Sequence, residues 1–335
     1  MSEEKALTIS DIANELGVSK TTVSRVISGK GRIGAETREK VLQYIEEHNY
    51  RPNLIARGLA QSRTYNIALV IPGDYNIMEL PFFQQCMIGI SKVASFMEYD
   101  VLLSIVTKKD ISGLQKIIVN HKVDGVILTR TLVEDASIQY LKEEGVPFVT
   151  IGSVEDATVV QIDNDHRQGC KELTQCLFAQ NMDRIALIGG SQDYMVTRNR
   201  LQGFRDAFLQ NGRSIDEELI YLDVEEEKEV ASIVEKLLEK GAECIVAMDD
   251  YLCNCILHAL HQKKVAVPEQ MKVASFYDSS FLANNVPSVT SVRFDVEELG
   301  ELTCRQLLRM IEGEKVPAKT LLGYRISLRR STKNS

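Results

Sequence analysis

The sequence has no apolar run of membrane length and no signal-peptide pattern at its start, so a cytoplasmic location is expected. Its seven cysteines are odd in number and scattered, which argues against a disulfide framework and suits reduced, buried thiols. Cys253 and Cys255 stand too close for the usual zinc spacing, and His258 and His261 have no acidic ligand beside them in sequence. Neither a metal site nor a cofactor is expected. A Gly-x-Ser-x-Gly elbow, a phosphate loop ending in Gly-Lys-Ser/Thr and a His-Glu-x-x-His pair are all missing. Ile188-Gly189-Gly190-Ser191 reads as a strand-ending turn rather than a dinucleotide fingerprint, and Glu225-Glu226-Glu227 as a solvated face. Nothing supplies a nucleophile with its base, so the chain does not read as an enzyme. No leucine heptad follows Arg329-Arg330-Ser331-Thr332, which gives no support to a tetramer-forming tail.

Positive charge is scarce except at one end. The net charge of the 335 residues is −8, yet residues 1–65 hold ten Lys and Arg against eight Asp and Glu, leaving −10 to the rest. Such a molecule should hold a polyanion only at its amino-terminal end, and more weakly as salt rises. The length suits a small domain plus one or two larger lobes.

The amino-terminal end is patterned as a helix-turn-helix. Thr8 with Asp11 makes a capping-box-like helix start, and Ile9, Ile12, Ala13 and Leu16 fall on one face. Gly17 supplies a turn, and Ser19 can cap a second helix whose Val23, Val26 and Ile27 point back to the first. Lys20, Thr21, Thr22, Ser24 and Arg25 remain outward, with no carboxylate among them, a face suited to phosphates and base edges. A third helix from about Glu36 should close a small core with Val41, Leu42 and Ile45, with Gly34 as a weak N-cap. Pro52 then stops that helix, and Asn53 can cap a short segment presenting Leu54, Ile55 and Leu59. A helix of about two turns containing Gly58 is marginal alone and should fold only against a partner and DNA.

From Thr8 to Leu59, and more loosely to the C-terminus, the chain resembles the lactose/galactose/purine repressor family of transcription regulators. The most specific stretches are Thr21-Thr22-Val23-Ser24-Arg25-Val26, Thr37-Arg38-Glu39-Lys40-Val41, and Tyr50-x-Pro52-Asn53 with Ala56-Arg57-x-Leu59. Ser28 departs from the family's usual Asn, and Gly58 from a more helix-favouring residue. The resemblance implies that Lys20, Thr21 and Arg25 read bases and that Leu59 wedges into the minor groove at the centre of a pseudo-palindromic operator. The full DNA-facing set comprises Thr8, Ser19, Lys20, Thr21, Thr22, Ser24, Arg25, Arg32, Asn53, Arg57 and Leu59. A homodimer on double-stranded operator DNA, acting as a repressor, is implied.

Beyond Tyr65, apolar strands alternate with helices. Strands are expected at 66–72, 101–106, 125–128 and 148–152, and again at 184–190, 244–248 and 273–276. The alternation implies parallel sheets covered by helices, and the restart implies two lobes with a ligand cleft between them. The resulting fold class is an all-α helix-turn-helix domain (1–50), a hinge helix and linker (51–65), and an α/β core (66–335). The resemblance implies a periplasmic-binding-protein-like core with three crossings, placed near Asp163, Val292 and Leu322. The N-lobe would then hold about 66–163 and 293–322, and the C-lobe about 164–292 and 323–332.

Asp74, Tyr75, Phe83, Arg130, Arg200, Asp249 and Tyr277 fall near strand ends or at the helix starts that follow. Carboxylates and guanidinium groups bond hydroxyl pairs, and aromatic faces stack on sugar rings. By resemblance Arg200, Asp249 and the position of Tyr277 are effector contacts. Tyr277-Asp278 stands where two aspartates are usual, and Gly152 where some relatives have a carboxylate. A carbohydrate effector is expected; a phosphorylated protein co-regulator is the alternative. Asp249, Asp250 and Asp278 can also be read as helix caps and lobe packing, and Asp163-Asn164-Asp165-His166 as a helix start.

Overall fold

The computed structural model describes residues 7–28, 31–48, 50, 58, 61–74 and 81–333. Asn53, Arg57, Leu59 and Tyr75 lie outside the described residues. The chain divides into two compact units, Met1–Thr64 and Tyr65–Ser335.

The first unit contains α1 (Ile9–Glu15), α2 (Lys20–Ser28) and α3 (Ala35–Glu47). Thr8 and Asp11 form the reciprocal capping box, with the Asp11 carboxylate taking the Thr8 N–H at 2.9 Å and the Asp11 N–H reaching Thr8 Oγ1 at 3.3 Å. Ser19 caps α2 by accepting the Thr22 N–H at 3.0 Å. Gly17 sits at φ +62°, a left-handed turn that side chains resist. Ile12, Ala13, Val23, Val26, Val41 and Tyr50 form the buried core. Leu42 is not part of it, being 48% exposed. One residue on from Val41 is a rotation of about 100° around the helix, and Tyr44 and Ile45 pack against the core instead.

The second unit is built on two six-stranded sheets. The first contains β1 (Asn66–Pro72), β2 (Asp100–Val106), β3 (Gly125–Leu128), β4 (Phe148–Ile151), β5 (Val160–Asn164) and β11 (Lys319–Leu322). Their order is β11-β5-β4-β3-β1-β2, and every pairing is parallel. The second contains β6 (Ile185–Ile188), β7 (Ile220–Tyr221), β8 (Cys244–Ala247), β9 (Lys272–Ser275), β10 (Thr290–Arg293) and β12 (Arg325–Ser327), ordered β12-β10-β9-β8-β6-β7. Only β12 runs antiparallel, against β10. Strands β1, β3, β4, β6 and β8 are buried almost throughout, as helices on both faces require.

The chain changes sheet three times: after β5, after β10, and through Gly323 and Tyr324 between β11 and β12. Flanking helices bury one continuous inner core that takes residues from both sheets, including Leu69, Ile127, Leu187 and Val246. In the first sheet's half, α4 (Pro81–Phe96) crosses α12 (Val296–Ile311) at two glycines. In the second, α7 (His166–Phe178) meets α8 (Met195–Gln210), and a Cβ on Gly203 would lie 2.2 Å from the Arg167 carbonyl.

The α4–α12 crossing is backbone against backbone. A Cβ on Gly89 would stand 2.2 Å from the Glu297 carbonyl oxygen, and one on Gly300 2.5 Å from that of Cys86. Neither contact is relieved by a side-chain rotation. Gly89→Ala should therefore destabilise the second unit by about 3 kcal/mol, read as a lower urea midpoint. Gly323→Ala, with nothing within 4 Å and no left-handed φ, should stay close to wild type.

Candidate functional site

Two surfaces carry the candidate chemistry, one on each unit. On the first, Thr8, Ser19, Lys20, Thr21, Ser24, Arg25 and Arg32 are exposed. Thr22 is half-buried, with its hydroxyl 2.9 Å from that of Ser19, so part of its capacity goes to the cap. The exposed face of α2 thus offers Lys20 and Arg25 with small hydroxyls between them and no acidic residue in its first turn. A helix with cationic and hydroxyl donors on its outer face is sized and charged for a major groove.

On the second unit, strand ends of both sheets surround a cavity of about 660 Å³. Asp74, Phe83, Arg130, Arg200, Asp249 and Tyr277 all line it. Asp74 follows β1 and accepts the Lys108 N–H at 3.1 Å while ion-pairing with Arg130, so these two expected ligands partly satisfy each other. Arg200 projects from α8, buried, and donates Nη1–H to the Met248 carbonyl at 2.6 Å, with its guanidinium 6.0 Å from the Tyr277 ring centre. Asp249 caps α10 (Asp250–Gln262) by accepting the Leu252 N–H at 2.8 Å, and burial raises its carboxyl above the usual range. Tyr277 is buried edge-on to Phe82 and stacked on Phe294, with burial pushing its hydroxyl up.

Asp278 belongs elsewhere. Both of its oxygens take Arg329 donors at 2.7 Å, and it does not line the cavity.

Several lining residues were not singled out as ligands by the sequence. Lys108 reaches from the first sheet's side to Ser191 Oγ at 3.1 Å and Asp193 at 3.0 Å, and stands 4.5 Å over the Tyr194 ring. The backbone repeats that bridge, the Val133 N–H donating to the Asp193 carbonyl at 2.9 Å and the Met195 N–H to that of Thr131 at 3.2 Å. Asp165 does cap α7, but its neighbours Asp163 and His166 also line the cavity. The signal was a strand ending at Asn164, hidden because Gln161, Asp163 and Asn164 interrupt its apolar run. Glu225 and Glu226 are exposed as expected of a solvated run, yet they border the cavity.

Six of the seven cysteines are buried, and burial pushes the Cys244 and Cys304 thiols up to about 12. Glu227 comes within 3.8 Å of His258, but no cluster of three metal-ligating side chains forms among the described residues. No helix among them is long and apolar enough to cross a membrane.

Asp250 stands beside Asp249 in the cavity lining. Burial, then the adjacent Asp249, raise it to about 6. An acid raised above its unfolded value binds its proton more tightly when folded, so its stabilisation is present at low pH and lost as pH climbs through about 6. Asp250→Asn should therefore stabilise the unliganded protein near pH 7, by up to about 3 kcal/mol. It should also flatten the fall in thermal midpoint between pH 4 and 7; an unchanged slope would contradict this reading.

The profile of the lacI family of bacterial regulatory proteins matches residues 8–53, and that of a periplasmic binding protein-like domain matches 174–332. The HTH-type transcriptional regulator MalR of Streptococcus pneumoniae is 32% identical over 317 residues, covering 92% of this chain and 94% of its own. Catabolite control protein A of Staphylococcus xylosus is 28% identical over 332 residues, covering 98% and 99%. The solved structure of a transcriptional regulator CelR–cellobiose complex aligns with TM-score 0.73 at 29% identity, over 97% of this chain and 99% of that one. With its capped helix-turn-helix and two-sheet core in one continuous match, the chain belongs to the lacI family of bacterial regulatory proteins and is a DNA-binding transcriptional regulator.

Proposed function

We propose that the chain is a homodimeric repressor whose hold on a pseudo-palindromic operator is set by a saccharide bound between the two sheets of its second unit. The observation that carries the effector half is the 660 Å³ cavity, where Phe83 and Tyr277 stand among Arg130, Arg200, Asp249 and Asp250. Apolar ring faces with convergent charged groups fit a polyhydroxylated ring. The likeness to the CelR–cellobiose complex supports a sugar.

In the DNA half, Lys20, Thr21 and Arg25 contact bases, while Thr8, Ser19, Thr22, Ser24, Arg32, Asn53 and Arg57 serve as phosphate or supporting contacts. Leu59 is the minor-groove wedge. A two-fold protein reads a two-fold site. Unpartnered apolar surface supports pairing: Phe96 is 81% exposed, and the edge strand β2 shows Leu103 at 50% and Ile105 at 58%.

Sites selected from random duplexes should be pseudo-palindromic, and adding maltose or cellobiose should change their yield. Arg25→Ala should weaken the selected site by about 1–3 kcal/mol relative to random DNA. Leu59→Ala should abolish operator bending in a gel assay while leaving salt-sensitive non-specific binding. Unchanged bending would remove the wedge. A broad saccharide panel with no thermal shift would move control to the protein co-regulator.

A further inference from the structure

His166 sits where the chain first leaves the first sheet for the second, at the start of α7, and is 5% exposed. Its Nε2 lies 3.4 Å from Asp163 Oδ1. Asp163 is itself fixed, accepting the Ser153 N–H at 2.9 Å, the Ser153 hydroxyl at 2.6 Å and the Asn164 N–H at 2.8 Å. An ionised carboxylate only accepts, so the neutral imidazole places its proton on Nε2 and leaves Nδ1 as a bare acceptor. That Nδ1 is buried without a partner, and so is the Nε–H donor of Arg200. Both side chains line the cavity. Buried polar atoms are nearly always paired, so two unpaired ones on one cavity wall point to a ligand that completes them.

The chemistry of the pair is selective. A hydroxyl both donates and accepts, whereas a phosphate dianion or a carboxylate offers nothing to a bare Nδ1. Among the lining residues, six carboxylates face three permanent cations, Lys108, Arg130 and Arg200, which also disfavours an anion. Resting on the saccharide reading above, we propose that His166 is the specificity residue of the cleft. Its Nδ1 accepts a hydrogen bond from an effector hydroxyl while the Arg200 Nε–H donates to an oxygen of the same molecule, and the excess of carboxylates in the lining turns phosphorylated or acidic sugars away.

The charge state agrees with that role. Burial and then Arg200 lower the His166 imidazole below its ordinary value, against the pull of Asp163 and Asp165, so it is neutral at pH 7. Phe294 packs edge-on against the ring at 4.6 Å and brings no charge.

Calorimetric titration of the full-length protein with maltose, cellobiose and glucose 6-phosphate tests the assignment. The wild type should bind an uncharged disaccharide in preference to glucose 6-phosphate. His166→Phe, which keeps a ring against Phe294, should weaken that binding tenfold or more while the protein stays folded by circular dichroism. His166→Gln, which restores an acceptor oxygen, should recover part of the loss. Full affinity in His166→Phe, or preference for glucose 6-phosphate, would overturn the assignment and leave the saccharide reading standing. Should the wild type bind none of the saccharides in the broad panel, both would fall together.

Discussion

Three passages of the chain between two sheets constrain everything else in the second unit. Each passage leaves a sheet at the end of a strand: β5 into α7, β10 into α12, and β11 into β12. A lobe cannot turn against its neighbour without altering backbone at these points, and at the first of them Asp163 and His166 also line the cavity. Asp163 closes β5, anchors Ser153, and approaches His166 on the other side of the crossing. The hinge and part of the ligand wall are one set of atoms. A ligand that binds there acts on the hinge by contact, and no remote pathway has to be invoked for its first step.

The helix packing around the hinge is correspondingly unforgiving. Gly89 and Gly300 let α4 and α12 approach to backbone distance, and Gly203 does the same for α7 and α8. Close-packed helices transmit displacement rather than absorb it. Lys108, bonded to Ser191 and Asp193 across the cleft, and the backbone links between residues 131–133 and 193–195 supply a second set of contacts that an opening motion must break. Those contacts are polar and partly exposed, so individually they contribute little. They are of the right size to be made and broken by a ligand.

How much of this the sequence disclosed depended on whether a feature was local. The capping box at Thr8, the Ser19 cap and the left-handed Gly17 were legible because each is set by residues within four positions. The buried runs at β1, β3, β4, β6 and β8 were legible because parallel central strands are apolar on both faces. Strand β5 was not, since Gln161, Asp163 and Asn164 are buried polar residues, and the bonds that hold Gln161 to Val154 and Asp163 to Ser153 are set by the fold. β7, β10, β11 and β12 were missed as short pieces whose identity as strands comes from their partners. Leu42 was expected in the core as an apolar residue of the third helix, beside Val41 and Ile45, and a single step around the helix takes it out. Of the cavity, the residues just after apolar strands were found. Lys108, Ser191 and His166 were not singled out, because what makes them lining residues is the fold's closure. The separate fate of Asp278, taken by Arg329 from fifty-one positions away, was equally invisible.

The energetic logic of the cleft follows from what it leaves unfinished. Asp249 and Asp250 are raised by burial, and His166 Nδ1 and Arg200 Nε lack partners. A buried polar group without a bond costs roughly 1–3 kcal/mol, so the unliganded site holds a cost comparable to the total coupling of a regulator, typically about 1–3 kcal/mol. Completing one or two of those bonds is therefore enough to bias a two-state hinge by a useful factor, and no large contact area is needed. These groups all stand in the second lobe, His166 on α7, Arg200 on α8 and Asp249 and Asp250 at the start of α10, so a ligand that completes them biases the hinge only where it also meets first-lobe residues such as Phe83 and Arg130. That difference between states, rather than affinity itself, is what a regulator reads: a ligand satisfied equally in both conformations would bind and signal nothing.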